Sequence, residues 1–201
     1  MKILIDRASL LLLDNKVVAI PTDTIYGLAV ACDKKEAICA LYELKKRPSS
    51  NPLVLFVKEA KDVDQFVSEI PTGGKALMEA FWPGPLTLVL PSKRSSTIAI
   101  RIPNHPLIIS LLEKTGPLFV TSANISGNPP LKSTSEIETT FGTNFPVLDG
   151  ELPQVGLAST ILSFENNLWQ IDRHGPISPE DFFPILGYVP KNKLTITPVS
   201  D

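Results

Sequence analysis

The sequence predicts an α/β fold, a mixed sheet flanked by helices. Three observations lead there. Short apolar runs alternate with amphipathic stretches along most of the 201 residues. The 19 prolines gather at the ends of those segments, where they stop elements rather than break them. Some runs open abruptly into polar residues, above all Pro117-Leu118-Phe119-Val120 into Thr121-Ser122-Ala123-Asn124-Ile125-Ser126-Gly127. Open α/β sheets build ligand sites at the carboxyl ends of their strands. Asn, Ser and Gly are also ordinary turn residues, so this stretch alone does not choose between a site and a turn.

The elements follow in order. Residues 8–15 can form a short helix, and Val17-Val18-Ala19-Ile20 is a buried strand stopped by Pro21. Residues 34–46 carry Ala37, Ile38, Leu41 and Leu44 on one helical stripe, with Pro48 just beyond. Residues 53–57 form an apolar strand; 59–66 and 74–81 read as helices; 86–90 and 97–102 read as strands. Trp82-Pro83-Gly84-Pro85 is the densest turn signal. Pro106 opens a helix running to about Lys114, because its missing N–H costs nothing in a first turn. The strand at 118–120 comes next, then a helix near 135–141 and strands near 146–148, 159–163 and 168–171. Periodicity fades after Pro184. Pro190-Lys191-Asn192-Lys193 reads as an exposed tail, with a strand candidate at 194–196. The expected division is one domain over 1–183 and a tail over 184–201.

Composition narrows the function. A net charge of −2 argues against a broad nucleic-acid-coating surface. Two cysteines, Cys32 and Cys39, make no disulfide framework, and buried, reduced thiols in a cytoplasmic protein are the expectation. No C-x-x-C or H-E-x-x-H spacing exists, so no protein-bound metal site is expected. Asp6 and Arg7 interrupt the apolar start, which argues against a signal peptide, and no apolar run nears the roughly 20 residues of a membrane span. Gly73-Gly74-Lys75 lacks the earlier glycine and the following hydroxyl of a phosphate-binding P-loop. Neither histidine sits in a nucleophile-elbow context.

What remains is a set of cations and hydroxyls at element ends. Lys45, Lys46 and Arg47 close a helix, either as a solvated basic end or as phosphate ligands. Arg101 lies between Ile100 and Ile102; its planar fork suits a carboxylate or phosphate, or an ion pair. Arg173 precedes His174-Gly175-Pro176 and suits a surface role equally well, and His174 reads as a turn residue rather than a catalyst. Thr22, Asp23 and Thr24 follow a strand, as ligand groups or turn caps, and Ser159-Thr160 opens another strand. Such scatter fits a cleft lying across several strand ends.

Pro21-Thr22-Asp23-Thr24-Ile25-Tyr26-Gly27-Leu28, Lys45-Lys46-Arg47-Pro48, Asn51-Pro52-Leu53, Trp82-Pro83-Gly84-Pro85-Leu86-Thr87, Ile100-Arg101-Ile102-Pro103, Ser122-Ala123-Asn124-Ile125-Ser126-Gly127, Ser159-Thr160 and Arg173-His174-Gly175 occur in the order seen in the YrdC-domain family. Over residues 7–180 the chain resembles that family, in its short, single-domain type. The resemblance implies a twisted mixed sheet around a deep, positively charged cleft. It implies a threonylcarbamoyl-adenylate synthase, joining L-threonine, bicarbonate and ATP into threonylcarbamoyl-AMP with release of pyrophosphate. ATP would be a substrate carrying its own Mg²⁺. A separate complex would move the product's threonylcarbamoyl group to adenosine 37 of tRNA, and weak direct tRNA binding is a further expectation.

By position, the family's basic-and-polar tetrad falls on Lys45, Arg47, Ser122 and Asn124, which the resemblance makes catalytic. It implies ATP contacts by Arg47, Asn51, Thr97, Ser122 and Arg173, and threonine contacts by Thr24, Arg101, Ser159 and the Val120 backbone. Phe56 stands where many members have histidine. At this length the linker and second domain of long members are not expected. Two rivals stay open: a carbamoyl-adenylate-forming relative, and an RNA-binding module using Lys45–Arg47 with Lys58 and Lys61.

Overall fold

A computed structural model describes residues 1–151 and 156–193. The strand candidate at 194–196 lies outside the described residues. In chain order the elements are β1 (Lys2–Ile3), α1 (Ile5–Leu13), β2 (Val18–Ile20), β3 (Gly27–Ala31), α2 (Lys35–Lys45), β4 (Val54–Phe56), a 3-10 turn (Ala60–Gln65), α3 (Gly74–Phe81), β5 (Leu86–Pro91), β6 (Thr97–Arg101), α4 (Pro106–Thr115), β7 (Leu118–Ser122), α5 (Thr134–Phe141), β8 (Val147–Leu148), β9 (Thr160–Glu165), β10 (Leu168–Arg173), a second 3-10 turn (Pro179–Phe182) and α6 (Phe183–Leu186). The ten strands form one mixed sheet in the order β1-β8-β2-β3-β7-β4-β6-β5-β9-β10.

The two faces of this sheet are covered unequally, and that places the site. On one face, Leu28 and Val30 meet Ala37 and Leu41 of α2 and Ile137 of α5. Farther along that face Leu55, Leu88, Ile100 and Leu162 meet Leu77 and Met78 of α3. On the opposite face, Ala8 and Leu12 of α1 and Ile108, Leu111 and Leu112 of α4 pack over residues of β1, β2, β3, β4, β7 and β8. That core takes in no residue of β5, β6 or β9. Val89, Ala99 and Ile161 of those three strands line an open cavity instead. Strand alternation makes the division. In β6, Ile98 and Ile100 join the core on one face, which sends Thr97, Ala99 and Arg101 to the other.

The structure departs from the sequence reading in several places. β3 was not expected; all five of its residues are buried, so it shows no alternation to read. The helix expected at 59–66 is the tighter 3-10 turn Ala60–Gln65. Cys39 is exposed and Cys32 half-buried, which corrects the expectation of two buried thiols. Order also continues past residue 184. Pro190 is buried, the Ile171 N–H donates to Lys191 O at 2.9 Å, and the Lys193 N–H donates to Ile171 O at 2.9 Å. Residues 191–193 therefore run beside β10, paired rather than detached. Among the described residues no helix is long and apolar enough to cross a membrane.

Candidate active site

The cavity has a volume of about 320 Å³ and is walled by segments far apart in sequence, among them Thr22, Thr24–Gly27, Arg47, Asn51, Phe56, Arg101, Val120–Ser122, Ser159 and Arg173.

α2 delivers two cations to two different places. Its buried residues Ala37, Leu41 and Lys45 recur every fourth position on one stripe, so Lys45 points inward. Lys46 then takes the left-handed conformation, φ 51°. The Lys46 N–H donates to Glu43 O at 3.0 Å and the Arg47 N–H to Tyr42 O at 2.9 Å, closing the helix. The reversal turns Arg47 out to the cavity wall, where Nε donates to Asn51 O at 3.2 Å and Nη2 to Pro52 O at 3.0 Å. Burial draws the Arg47 guanidinium's pKa down, with Tyr42 opposing.

Lys45 is fully buried. Its Nζ donates to Ser122 O at 2.5 Å, Asn124 O at 2.8 Å and Asn124 Oδ1 at 2.6 Å. An ammonium has three donors, and all three are spent on the loop after β7. Burial, then the charge of Arg47, pushes its pKa down to about 8. The Asn124 amide donates to Asn128 O at 2.5 Å and its Oδ1 also accepts from Ser122 Oγ at 2.8 Å. Lys45 and Asn124 are therefore the frame that holds Ser122 on the wall, and neither lines the cavity itself.

Arg101, at the end of β6, is only 3% exposed. Nε donates to Gly84 O at 2.9 Å and Nη1 to Thr24 Oγ1 at 3.1 Å. Nη2 lies 2.7 Å from Asp23 Oδ1. That contact is ionic rather than a directed hydrogen bond, since neither atom has a partner in hydrogen-bond geometry. The Phe56 ring centroid lies 5.6 Å from the guanidinium carbon, a cation–π contact. Burial lowers the Arg101 pKa and Asp23 opposes the shift; a guanidinium stays charged regardless.

Arg173 leaves β10 and returns to the wall. Its Nε donates to Ser159 O and its Nη2 to Ser159 Oγ, both at 3.0 Å. The buried Thr87 hydroxyl steadies Ser159 Oγ from behind at 2.8 Å. Gly175 permits the approach: a Cβ there would lie 2.2 Å from Thr160 N and 2.5 Å from Ala158 O. Burial lowers the Arg173 pKa, helped by the positive charges of Arg101 and then Arg47, so Arg173 feels both of the other cavity arginines.

Of the residues singled out in the sequence, Thr24, Arg47, Asn51, Arg101, Val120, Ser122, Ser159 and Arg173 line this one cavity. Lys45 and Asn124 lie beneath its wall, and Thr97 is exposed at the start of β6, two residues from Ala99 and outside the lining. His174 is exposed and bonded to Asn192 Oδ1 at 2.6 Å. Sequence reading missed Asp23 as the partner of Arg101, Thr87 behind Ser159, and Asp172, which lines the cavity while accepting from Ser163 Oγ at 2.7 Å. It also missed the apolar floor, for which strand alternation was the available signal. Among the described residues no group of three or more His, Cys, Asp or Glu is placed to hold a metal ion.

The sequence profile of the Sua5/YciO/YrdC family, whose description reads "Telomere recombination", matches residues 10–175. The chain belongs to the Sua5/YciO/YrdC family. Within it, the threonylcarbamoyl-AMP synthase of Bacillus subtilis (strain 168) is 35% identical over 201 aligned residues, covering 94% of this chain and 58% of that protein. The threonylcarbamoyl-AMP synthase of Klebsiella pneumoniae is 35% identical over 156 residues, covering 72% of this chain and 82% of its own. Among solved structures of the Sua5/YciO/YrdC fold, P. abyssi Sua5 complexed with L-threonine superposes with a TM-score of 0.88 at 30% identity, over 94% of this chain and 58% of that one. E. coli YciO, at 21% identity and a TM-score of 0.78 over 89% of this chain and 92% of its own, shares the fold. The chain spans a little over half the length of the B. subtilis and P. abyssi relatives.

Proposed function

We propose that this chain is a threonylcarbamoyl-AMP synthase, a nucleotidyltransferase that makes threonylcarbamoyl-AMP and pyrophosphate from L-threonine, bicarbonate and ATP. One observation carries the reading. Residues able to hold a nucleotide (Arg47, Asn51, Ser122, Arg173) and residues able to hold an amino acid (Thr24, Arg101, Val120, Ser159) line a single cavity. The relative whose structure superposes with a TM-score of 0.88 is complexed with L-threonine.

In this reading the neutral amine of threonine takes up CO₂ derived from bicarbonate and gives up a proton, forming a carbamate. A carbamate oxygen attacks the α-phosphorus of ATP, and the bond from that phosphorus to the bridging oxygen breaks as pyrophosphate leaves. This chemistry needs alignment and charge neutralisation more than a protein nucleophile. Arg47 and Arg173 neutralise phosphates, and the Asn51 and Ser122 side chains add neutral hydrogen bonds. Thr97, exposed at the start of β6 and outside the lining, is taken as a further nucleotide contact. Arg101 receives the threonine carboxylate, with Thr24, Ser159 and the Val120 backbone around the rest of the molecule. Lys45 and Asn124 act through the loop they hold. Mg²⁺ arrives with ATP and supplies further neutralisation of the leaving pyrophosphate.

The catalytic unit is residues 1–183, since no described residue beyond them lines the cavity. The product serves a separate transfer complex acting on tRNA in the cytoplasm, and direct contact with tRNA is weak. Mass spectrometry of a mixture of protein, Mg-ATP, bicarbonate and L-threonine tests the reaction. Threonylcarbamoyl-AMP should form only when all are present. Turnover that ignores threonine, or no adenylate at all, would overturn it.

A further inference from the structure

Arg101 is buried to 3% exposure, and a guanidinium so placed needs a counter-charge. The carboxylate in contact with it is Asp23, itself 10% exposed. Asp23 is tied down on both oxygens. Oδ1 lies 2.7 Å from Arg101 Nη2, and Oδ2 accepts the Asn104 N–H at 3.1 Å. With Gly84 O on Nε and Thr24 Oγ1 on Nη1, the fork is fixed on the protein side before a ligand arrives. Arg101 and Thr24 line the cavity and Asp23 does not.

Charge follows the same division. Among the described residues, Arg101 is the cavity arginine with a carboxylate in ion-pair contact; Arg47 and Arg173 have none. We propose that Asp23 is a positioning residue that makes the Arg101 end of the cavity selective for an amino-acid carboxylate. It aims the fork and cancels the excess charge there, so that phosphates are drawn to Arg47 and Arg173 instead. This rests on the synthase reading given above and extends it to the sorting of the two substrates.

The test is calorimetric binding of L-threonine, and of inorganic phosphate as the competing anion, to wild type, Asp23→Asn, Arg101→Gln and the double variant. In Asp23→Asn, threonine affinity should fall about tenfold or more, and phosphate should compete with threonine, whereas in the wild type it should not. In the Arg101→Gln background Asp23→Asn should add nothing, because its effect passes through the guanidinium. Threonine affinity in Asp23→Asn within about twofold of wild type overturns the proposal. So does a further loss of about tenfold in the double variant relative to Arg101→Gln, which would mean that Asp23 meets the ligand itself. If Asp23→Asn does not fold, Asp23→Glu, which keeps the counter-charge but displaces the fork, decides: threonine affinity should still fall severalfold, and affinity within about twofold of wild type overturns the proposal. A wild type that binds no threonine locates the fault in the synthase reading, and the proposal falls with it.

Discussion

Two neighbouring cations, Lys45 and Arg47, illustrate how position decides the use of a charge. Arg47 donates only to two carbonyls on its own turn and keeps donors for a ligand on the cavity wall. Removing one donor of this kind from a water-poor site typically costs about 10²–10³ in rate. Pyrophosphate release by folded Arg47→Ala should fall by that order; a rate near wild type would remove Arg47 from the reaction. Lys45 has no donor left, and its charge works against folding. Its pKa is about 8 in the folded chain, below the ordinary 10.5. Between those two values the unfolded chain binds more protons, so stability rises with pH. Below about pH 8 the penalty is present in full. Urea unfolding from pH 8 to 10.5 should show Lys45 contributing a rise of up to about 3 kcal/mol, taken as the difference between wild type and Lys45→Met, which cancels thiols and phenols titrating in the same window. A difference flat across that window would show that the ammonium is not depressed.

At the scale of elements, β10 and the chain after it place Arg173 through a contact that only glycine permits. A Cβ at Gly175 would come within 2.5 Å of the backbone on both sides of Ser159. Backbone cannot swing aside as a flexible side chain does, so Gly175→Ala should cost about 1–3 kcal/mol of stability. It should also weaken ATP more than threonine, because Arg173 is moved and Arg101 is not. Unfolding midpoints and binding of both ligands check this; equal losses for the two would place the strain elsewhere. The sequence carried much of this architecture. Helix 74–81 matches residue for residue, because its apolar stripe and flanking turns agree. The cations at strand and helix ends were visible as candidates for the same reason: an arginine between two isoleucines is out of place unless something holds it. What could not be read was direction. Nothing local to Lys45 says that its stripe buries the ammonium, since that depends on β7 lying alongside. Nothing local to Asp23 says that Arg101, far along the chain, will be its partner. β3 was lost for the opposite reason, being buried on both faces without alternation.

The molecule as a whole owes its cavity to unequal cover. Helices α2, α3 and α5 pack along one face of the sheet, while the core beneath α1 and α4 includes no residue of β5, β6 or β9. The floor left between the arginines is apolar and made of modest side chains, Val89, Ala99 and Ile161. Under the proposed function, an apolar floor would keep water from phosphates bound above it and so strengthen every charge–dipole contact there. Yet this floor bears little of the fold, because no helix rests on it. Enlarging it should therefore separate stability from binding. Val89 is only half-buried and its side chain faces the cavity rather than the core. Val89→Phe should fill part of the roughly 320 Å³ and displace ligand, with stability within about 1 kcal/mol of wild type because open space receives the ring. ATP affinity should fall about tenfold or more, by loss of room rather than loss of charge. The salt dependence of whatever binding remains should then match wild type, since Arg47 and Arg173 are untouched. A Val89→Phe protein that binds ATP normally would mean that the nucleotide does not lie over these strands. One that unfolds would mean that the floor is core after all.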